Sequence, residues 1–116
     1  MQNPKFQIFN GTNNQFYYHL KANNGEKILS GEGYTSKAGC QNGIQSVKEN
    51  SPYESKYRRH IATNGQYYFV LIGANGEVIG QSEMYLSTQG RDTGIETVKR
   101  DAKSAPIEYL TYQKAY

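Results

Sequence analysis

Gln15-Phe16-Tyr17-Tyr18-His19-Leu20-Lys21-Ala22-Asn23-Asn24-Gly25-Glu26 returns 51 residues later as Gln66-Tyr67-Tyr68-Phe69-Val70-Leu71-Ile72-Gly73-Ala74-Asn75-Gly76-Glu77. Each stretch alternates with period two, the mark of a strand with one dry face. Phe16, Tyr18 and Leu20 share a face, opposite Tyr17, His19 and Lys21. In the second stretch Tyr67, Phe69 and Leu71 lie opposite Tyr68, Val70 and Ile72. Asn24-Gly25 and Asn75-Gly76 predict hairpins of type I′, which need positive φ at both central residues. The returning strands fall at about 26–32 and 77–83. Asn64-Gly65 predicts a further hairpin and places a strand at about 56–62. Its counterpart is 5–9, joined to the next strand by the looser Asn10-Gly11-Thr12-Asn13-Asn14.

The likeness extends outward without a gap. Residues 13–50 laid on 64–101 give 16 identities in 38 positions, which duplication explains and chance does not. Ser36 and Ser87 stand where helix N-caps belong, because a serine oxygen accepts free amides of the first turn. Helices of about 36–50 and 87–102 follow, with Cys40, Ile44 and Val47 on one helical face. Gly39 with Gly43, and Gly90 with Gly94, recur inside these helices. Glycine there costs roughly 1 kcal/mol against alanine. A pair kept in both copies points to a helix lying very close to something, the sheet being the obvious candidate; a poor or late-starting helix is the alternative. The fold expected is α+β: two tandem β-β-β-α repeats, about 1–52 and 53–116, in a single domain of 1–116. Their strands merge into one antiparallel sheet with both helices on one face. The tail Ala105-Pro106-Ile107-Glu108-Tyr109-Leu110 can add a short edge strand.

Composition narrows the functional classes. The 116 residues suit one domain, with 36% hydrophobic residues, eleven Tyr, four Phe and no Trp. So many tyrosines suit a sheet with one wet face. A net charge of +3 is modest for a dedicated nucleic-acid module, and the only tight basic cluster is Lys56, Arg58 and Arg59. The single cysteine excludes an internal disulfide framework. The first residues show no signal-peptide pattern, and no apolar run approaches the roughly 20 residues of a membrane span. A cytoplasmic location and no membrane contact are the expectation.

The runs Tyr68-Phe69-Val70-Leu71, Ala74-Asn75-Gly76-Glu77-Val78-Ile79-Gly80, Ser82-Glu83-Met84-Tyr85 and Gly94-Ile95-Glu96-Thr97-Val98-Lys99 carry a resemblance. So do their first-copy partners Leu20-Lys21-Ala22-Asn23-Asn24-Gly25-Glu26, Tyr34-Thr35-Ser36-Lys37 and Gly43-Ile44-Gln45-Ser46-Val47-Lys48. The chain resembles the YegP-like family of small bacterial proteins of unknown function, the DUF1508 or UPF0339 group. The resemblance implies paired β-β-β-α units in one antiparallel sheet. It also implies that one-copy members reach this arrangement as dimers. A two-copy chain is then a pseudo-dimer, expected to be a monomer, with a homodimer as the alternative. No activity, cofactor or catalytic residue comes with it. Thr88-Gln89-Gly90-Arg91 and Gly31-Glu32-Gly33 depart from the family pattern.

A search for chemistry returns little. Cys40 is the only thiol, and its place on the helix face reads as core. His19 and His60 are the only imidazoles, and neither has a histidine at the matching position. No metal site or cofactor is expected: structural zinc takes about four Cys or His ligands, and the chain has three such residues. Glu26 with Glu77, and Glu32 with Glu83, are acidic pairs kept by the duplication. They could serve acid–base work if they met across the pseudo-twofold axis, but their places after turns and before helix starts favour structural roles. No phosphate-loop pattern occurs. What remains is the sheet face away from the helices, presenting Tyr17, His19, Lys21, Tyr68, Val70 and Ile72, with Phe9 and Arg58 nearby. Three readings follow: a non-enzymatic module whose partner is a protein, bound at this face or a sheet edge; a single-stranded nucleic-acid binder using the aromatics with Lys56, Arg58 and Arg59; and an enzyme or small-ligand binder with a site between the repeats.

Overall fold

The computed structural model describes residues 2–110, so the second repeat is seen as far as Leu110. Seven strands form one sheet: β1 (Lys5–Asn10), β2 (Phe16–Lys21), β3 (Lys27–Ser30), β4 (Tyr57–Ile61), β5 (Tyr67–Ile72), β6 (Val78–Gln81) and β7 (Ile107–Tyr109). Two helices, α1 (Lys37–Asn50) and α2 (Thr88–Asp101), complete the repeats. Strand order is β4-β5-β6-β3-β2-β1-β7. Every pairing is antiparallel except the last. The tail does supply an edge strand, but β7 lies parallel to β1.

The two repeats meet between β3 and β6, where Ser30 pairs with Gln81. These positions are equivalent in the two copies, so an antiparallel pairing between them places a pseudo-twofold axis at this pair. The seam is short and side chains reinforce it. The Tyr18 hydroxyl donates across it to the Ile79 carbonyl. Leu29 packs on Gly80, where a Cβ would stand 2.9 Å from its methyl carbon.

Both helices cover the same sheet face. Cys40, Ile44 and Val47 of α1 and Ile95 and Val98 of α2 join Phe6, Ile8, Tyr18, Leu20, Phe69 and Leu71 in one core. Ser36 and Ser87 are the N-caps, each accepting from the amide three residues on at 2.9 Å. The helix glycines answer first to tyrosine rings, and at Gly94 also to the sheet, where the Phe69 ring would stand 3.3 Å from a Cβ. A Cβ on Gly43 would stand 2.2 Å from the Tyr34 hydroxyl, and one on Gly94 would stand 2.3 Å from that of Tyr85. The main chains of these tyrosines are bonded to the starts of β2 and β5, Tyr34 to Phe16 and Tyr85 to Tyr67. Each tyrosine therefore clips its helix to a strand of its own repeat.

The hairpins differ from the type expected. At Asn24-Gly25 only the glycine has positive φ. The Gly25 amide bonds the Ala22 carbonyl and the Ala22 amide bonds the Glu26 carbonyl, which is a type I turn closed by a glycine bulge. Asn24 instead accepts from the Glu26 amide through its side chain at 3.0 Å. Asn64-Gly65 and Asn75-Gly76 repeat every bond. The loop that looked looser is the same turn: Asn14, at φ 68°, stands in the glycine position, and Asn13 accepts from Gln15. Matched bulges follow in each repeat, between Leu20 and Lys21 and between Leu71 and Ile72.

Asn14→Gly should raise stability by up to about 1 kcal/mol, since glycine reaches left-handed backbone without a Cβ penalty. Gly76→Ala should lower it by more than about 1 kcal/mol, although no atom stands within 4 Å of the added methyl. Urea midpoints of the two variants check the pair; equal midpoints contradict the turn assignment.

Candidate functional site

The sheet face away from the helices carries no covering element among the described residues. One row of register runs across all seven strands: Arg58, Val70, Gln81, Ser30, His19, Gln7 and Glu108. In the first repeat the row is a hydrogen-bonded chain. Lys5 bonds Glu108 at 3.0 Å, Gln7 donates to Glu108 at 2.7 Å, and the Gln7 oxygen meets His19 Nε2 at 2.6 Å. A carboxylate only accepts, so the Gln7 amide nitrogen faces Glu108 and its oxygen faces the imidazole. His19 therefore donates from Nε2. Burial, then the charges of Lys27 and Lys21, push its pKa down to about 4.

Beside this chain lies a groove of about 350 Å³ framed by Phe9, Tyr17, His19, Lys27 and Ser30. Phe9 stacks on Tyr17, centroids 5.9 Å apart, and packs tilted on His19 at 5.1 Å. The first hairpin loop folds over Tyr17: Asn13 donates to its hydroxyl at 2.8 Å, and Gly11 leaves room for the ring. Next in register stand Lys5, Lys21 and Lys27, one lysine from each strand of the first repeat.

The sequence-derived residues divide. Tyr17, His19 and Lys21 come together on this face as expected, joined by Phe9. Tyr68 and Ile72 lie on the same face of the second repeat, half-buried, with Tyr68 packed on His60 at 5.3 Å. Val70 does not present itself: it is 6% exposed yet stands apart from the main core. A short side chain between Arg58 and Gln81 on neighbouring strands is shielded by them. The basic cluster is not one patch. Successive strand residues point to opposite faces, which sends Arg58 to the open face and Arg59 to the helix side. There Arg59 is held by Glu54 at 2.7 Å and Asp92 at 3.0 Å. Arg58 bonds the Ser55 and Tyr57 carbonyls, and Lys56 closes the 3-10 turn Glu54–Lys56. Sequence reasoning missed the lysine row of Lys5, Lys21 and Lys27. Strand alternation allowed it, but the row is seen only once the bulge after Leu20 is known.

Other candidates have quieter places. Cys40 is fully buried, which raises its thiol to about 11. Neither acidic pair converges. Glu32 and Glu77, from different pairs, line a polar pocket of about 480 Å³ between the repeats, while Glu83 faces Lys27 at 3.8 Å. No cluster of three His, Cys, Asp or Glu side chains fit for a metal occurs among the described residues. No helix there is long and apolar enough to cross a membrane.

Two stretches, 12–57 and 62–108, match the family model described as a domain of unknown function, DUF1508. The chain belongs to this family. Each matched stretch holds two strands, a helix and the start of the strand after it. A UPF0339 protein YegP of Shigella flexneri is 47% identical over 103 residues, covering 89% of this chain and 94% of that one. A UPF0339 protein of Shewanella oneidensis is 46% identical over 106 residues, with coverage of 91% and 96%. The solution structure of a UPF0339 protein from Shewanella oneidensis superposes with a TM-score of 0.88 at 44% identity, covering 96% and 94% of the two chains. That of yegP from E. coli, a protein of unknown function, gives 0.88 at 43% identity, covering 96% of each. The fold, with its two repeats, is that of the UPF0339 proteins.

Because the folded state holds His19 at about 4 against an ordinary 6.5, the unfolded chain binds the extra proton. The stability that neutral His19 contributes is fully present above pH 6.5 and is lost as the pH falls toward 4. Unfolding free energies at several pH values in this window should slope for the wild type and flatten for His19→Gln. Equal slopes contradict the assignment.

Proposed function

We infer that this protein is a non-enzymatic interaction module that binds a protein partner at the open face of its first repeat. The uncovered sheet face carries the reading: both helices pack on the other side, leaving the groove at Phe9, Tyr17 and His19 beside the Lys5, Lys21 and Lys27 row. The chain of Lys5, Glu108 and Gln7 holds His19 in place at the wall of this groove, so that wall is preorganised. Support also comes from the groups that chemistry would need. The buried Cys40 thiol, raised to about 11, is a poor nucleophile at neutral pH. His19 is committed to Gln7 through Nε2. A cytoplasmic location accompanies this reading, as the single cysteine suggests.

A single-stranded nucleic acid is the second reading, favoured by lysines next to aromatics. Against it, Phe9 and Tyr17 stack on each other, and Arg59 is engaged by carboxylates on the helix side.

Affinity capture from the native host should return a protein that the wild type retains and that both Phe9→Ala and Tyr17→Ala release, while circular dichroism stays native. A prey held equally by wild type and variants contradicts the groove. Titration with short RNA and DNA at two salt concentrations separates the second reading: tight binding that weakens steeply with salt replaces the protein-partner reading.

A further inference from the structure

The pseudo-twofold axis carries β1 onto β4, but the two outer edges are treated differently. Outside β1 lies β7, with Ile107 opposite Phe6, Glu108 opposite Gln7 and Tyr109 opposite Ile8. The Phe6 amide bonds the Pro106 carbonyl at 2.8 Å, and the Leu110 amide bonds the Ile8 carbonyl at 2.9 Å. Ile107 packs on the core, and Glu108 takes Lys5 and Gln7. Tyr109 sits against α1, where Gln41 donates to its hydroxyl at 2.6 Å and Lys37 lies 5.2 Å over its ring. The chain that leaves α2 thus closes the first edge. The chain that leaves α1 becomes β4 itself, and among the described residues nothing lies outside β4.

We propose that this free edge of β4 takes an extended, acidic segment of a partner protein as a parallel strand, in the seat equivalent to that of β7. The seat recurs from the Tyr57 carbonyl onward; the Tyr57 amide, unlike that of Phe6, is taken by the Glu54 carbonyl. Phe6 and Ile8, whose main chains face β7, correspond to Tyr57 and Arg59. Lys37 and Gln41, which hold Tyr109, correspond to Thr88 and Asp92. Arg59, Thr88 and Asp92 line an open pocket of about 590 Å³. The charge is also matched. Where Gln7 receives Glu108, the second repeat offers Arg58, a positive charge in place of a neutral amide. Arg58 Nη1 now rests on the Tyr57 carbonyl at 3.1 Å and the Ser55 carbonyl at 2.7 Å. An incoming amide would take the Tyr57 carbonyl and release the guanidinium toward a carboxylate. Main-chain bonds along such an edge give affinity, and the side-chain pattern gives choice of partner. A second copy is the poorer occupant, because β4 against β4 would align arginines, and like charges opposite each other repel.

The test uses the full chain, isotope-labelled for NMR, and an end-blocked peptide copying residues 105–110, Ala-Pro-Ile-Glu-Tyr-Leu. Saturable shifts at the amides of Tyr57, Arg59, Ile61 and Asp92 are expected. Lysine in place of the peptide's glutamate should weaken binding at least tenfold. Arg58→Glu should weaken the original peptide to the same degree and restore the lysine peptide. No shift along β4 at millimolar peptide overturns the proposal, as does binding indifferent to either charge reversal. Shifts confined to Phe9, Tyr17 and His19 also overturn it while leaving the groove of the first repeat intact as an interaction site.

Discussion

Two tyrosine rings set on two helix glycines organise the molecule. Tyr34 and Tyr85 are fixed to the sheet by main-chain hydrogen bonds to Phe16 and Tyr67, and their hydroxyls reach Gly43 and Gly94. Two residues after each comes the serine cap, so the start of each helix and its depth over the sheet are set within one short stretch. Burial raises the pKa of both phenols, which keeps them neutral inside the contact. Glycine is a poor helix residue, and its presence in the second turn is the cost of seating a ring there. Because both clips bind the same sheet face, the opposite face is left open along all seven strands.

The duplication preserved this clip together with the core beneath it. Leu20, Ile44 and Val47 match Leu71, Ile95 and Val98, and all are fully buried. The open face diverged instead. His19, Lys21 and Lys27 of the first repeat stand where the second has Val70, Ile72 and Val78. The seam diverged in a complementary way: Leu29 faces Gly80, its own equivalent, so one copy fills the space the other leaves. Two identical copies would bring leucine to leucine or glycine to glycine there. The polar groove and the basic free edge therefore lie on different repeats, although a single ancestral unit underlies both.

Much of this was legible from residue order. Period two in Phe16–Lys21 and Tyr67–Ile72, the serine caps and the offset of 51 were enough for strands, helices and their arrangement. What escaped depends on geometry that local pattern does not encode. Asn-Gly suits a type I′ turn and also a type I turn closed by a glycine bulge, and the side-chain bond from asparagine to the residue after glycine favours the second. Asn14 hid the fourth copy of that turn because asparagine, like glycine, tolerates left-handed backbone. Arg58 and Arg59 read as a cluster in one dimension and separate by strand alternation in three. Val70 looked exposed because alternation predicts a face and says nothing about how far neighbouring side chains close over it.

The organising contact can be measured directly by a double-mutant cycle on Tyr85 and Gly94, read from urea unfolding. In the wild-type background Gly94→Ala should destabilise by about 1–3 kcal/mol, the usual cost of forcing extra volume into a packed site. With Tyr85→Leu in place, the same change should be neutral or favourable by up to about 1 kcal/mol, as helix propensity alone dictates. Equal effects in both backgrounds, or a wild-type chain stabilised by Gly94→Ala, would contradict the claim that these rings set the helices on the sheet.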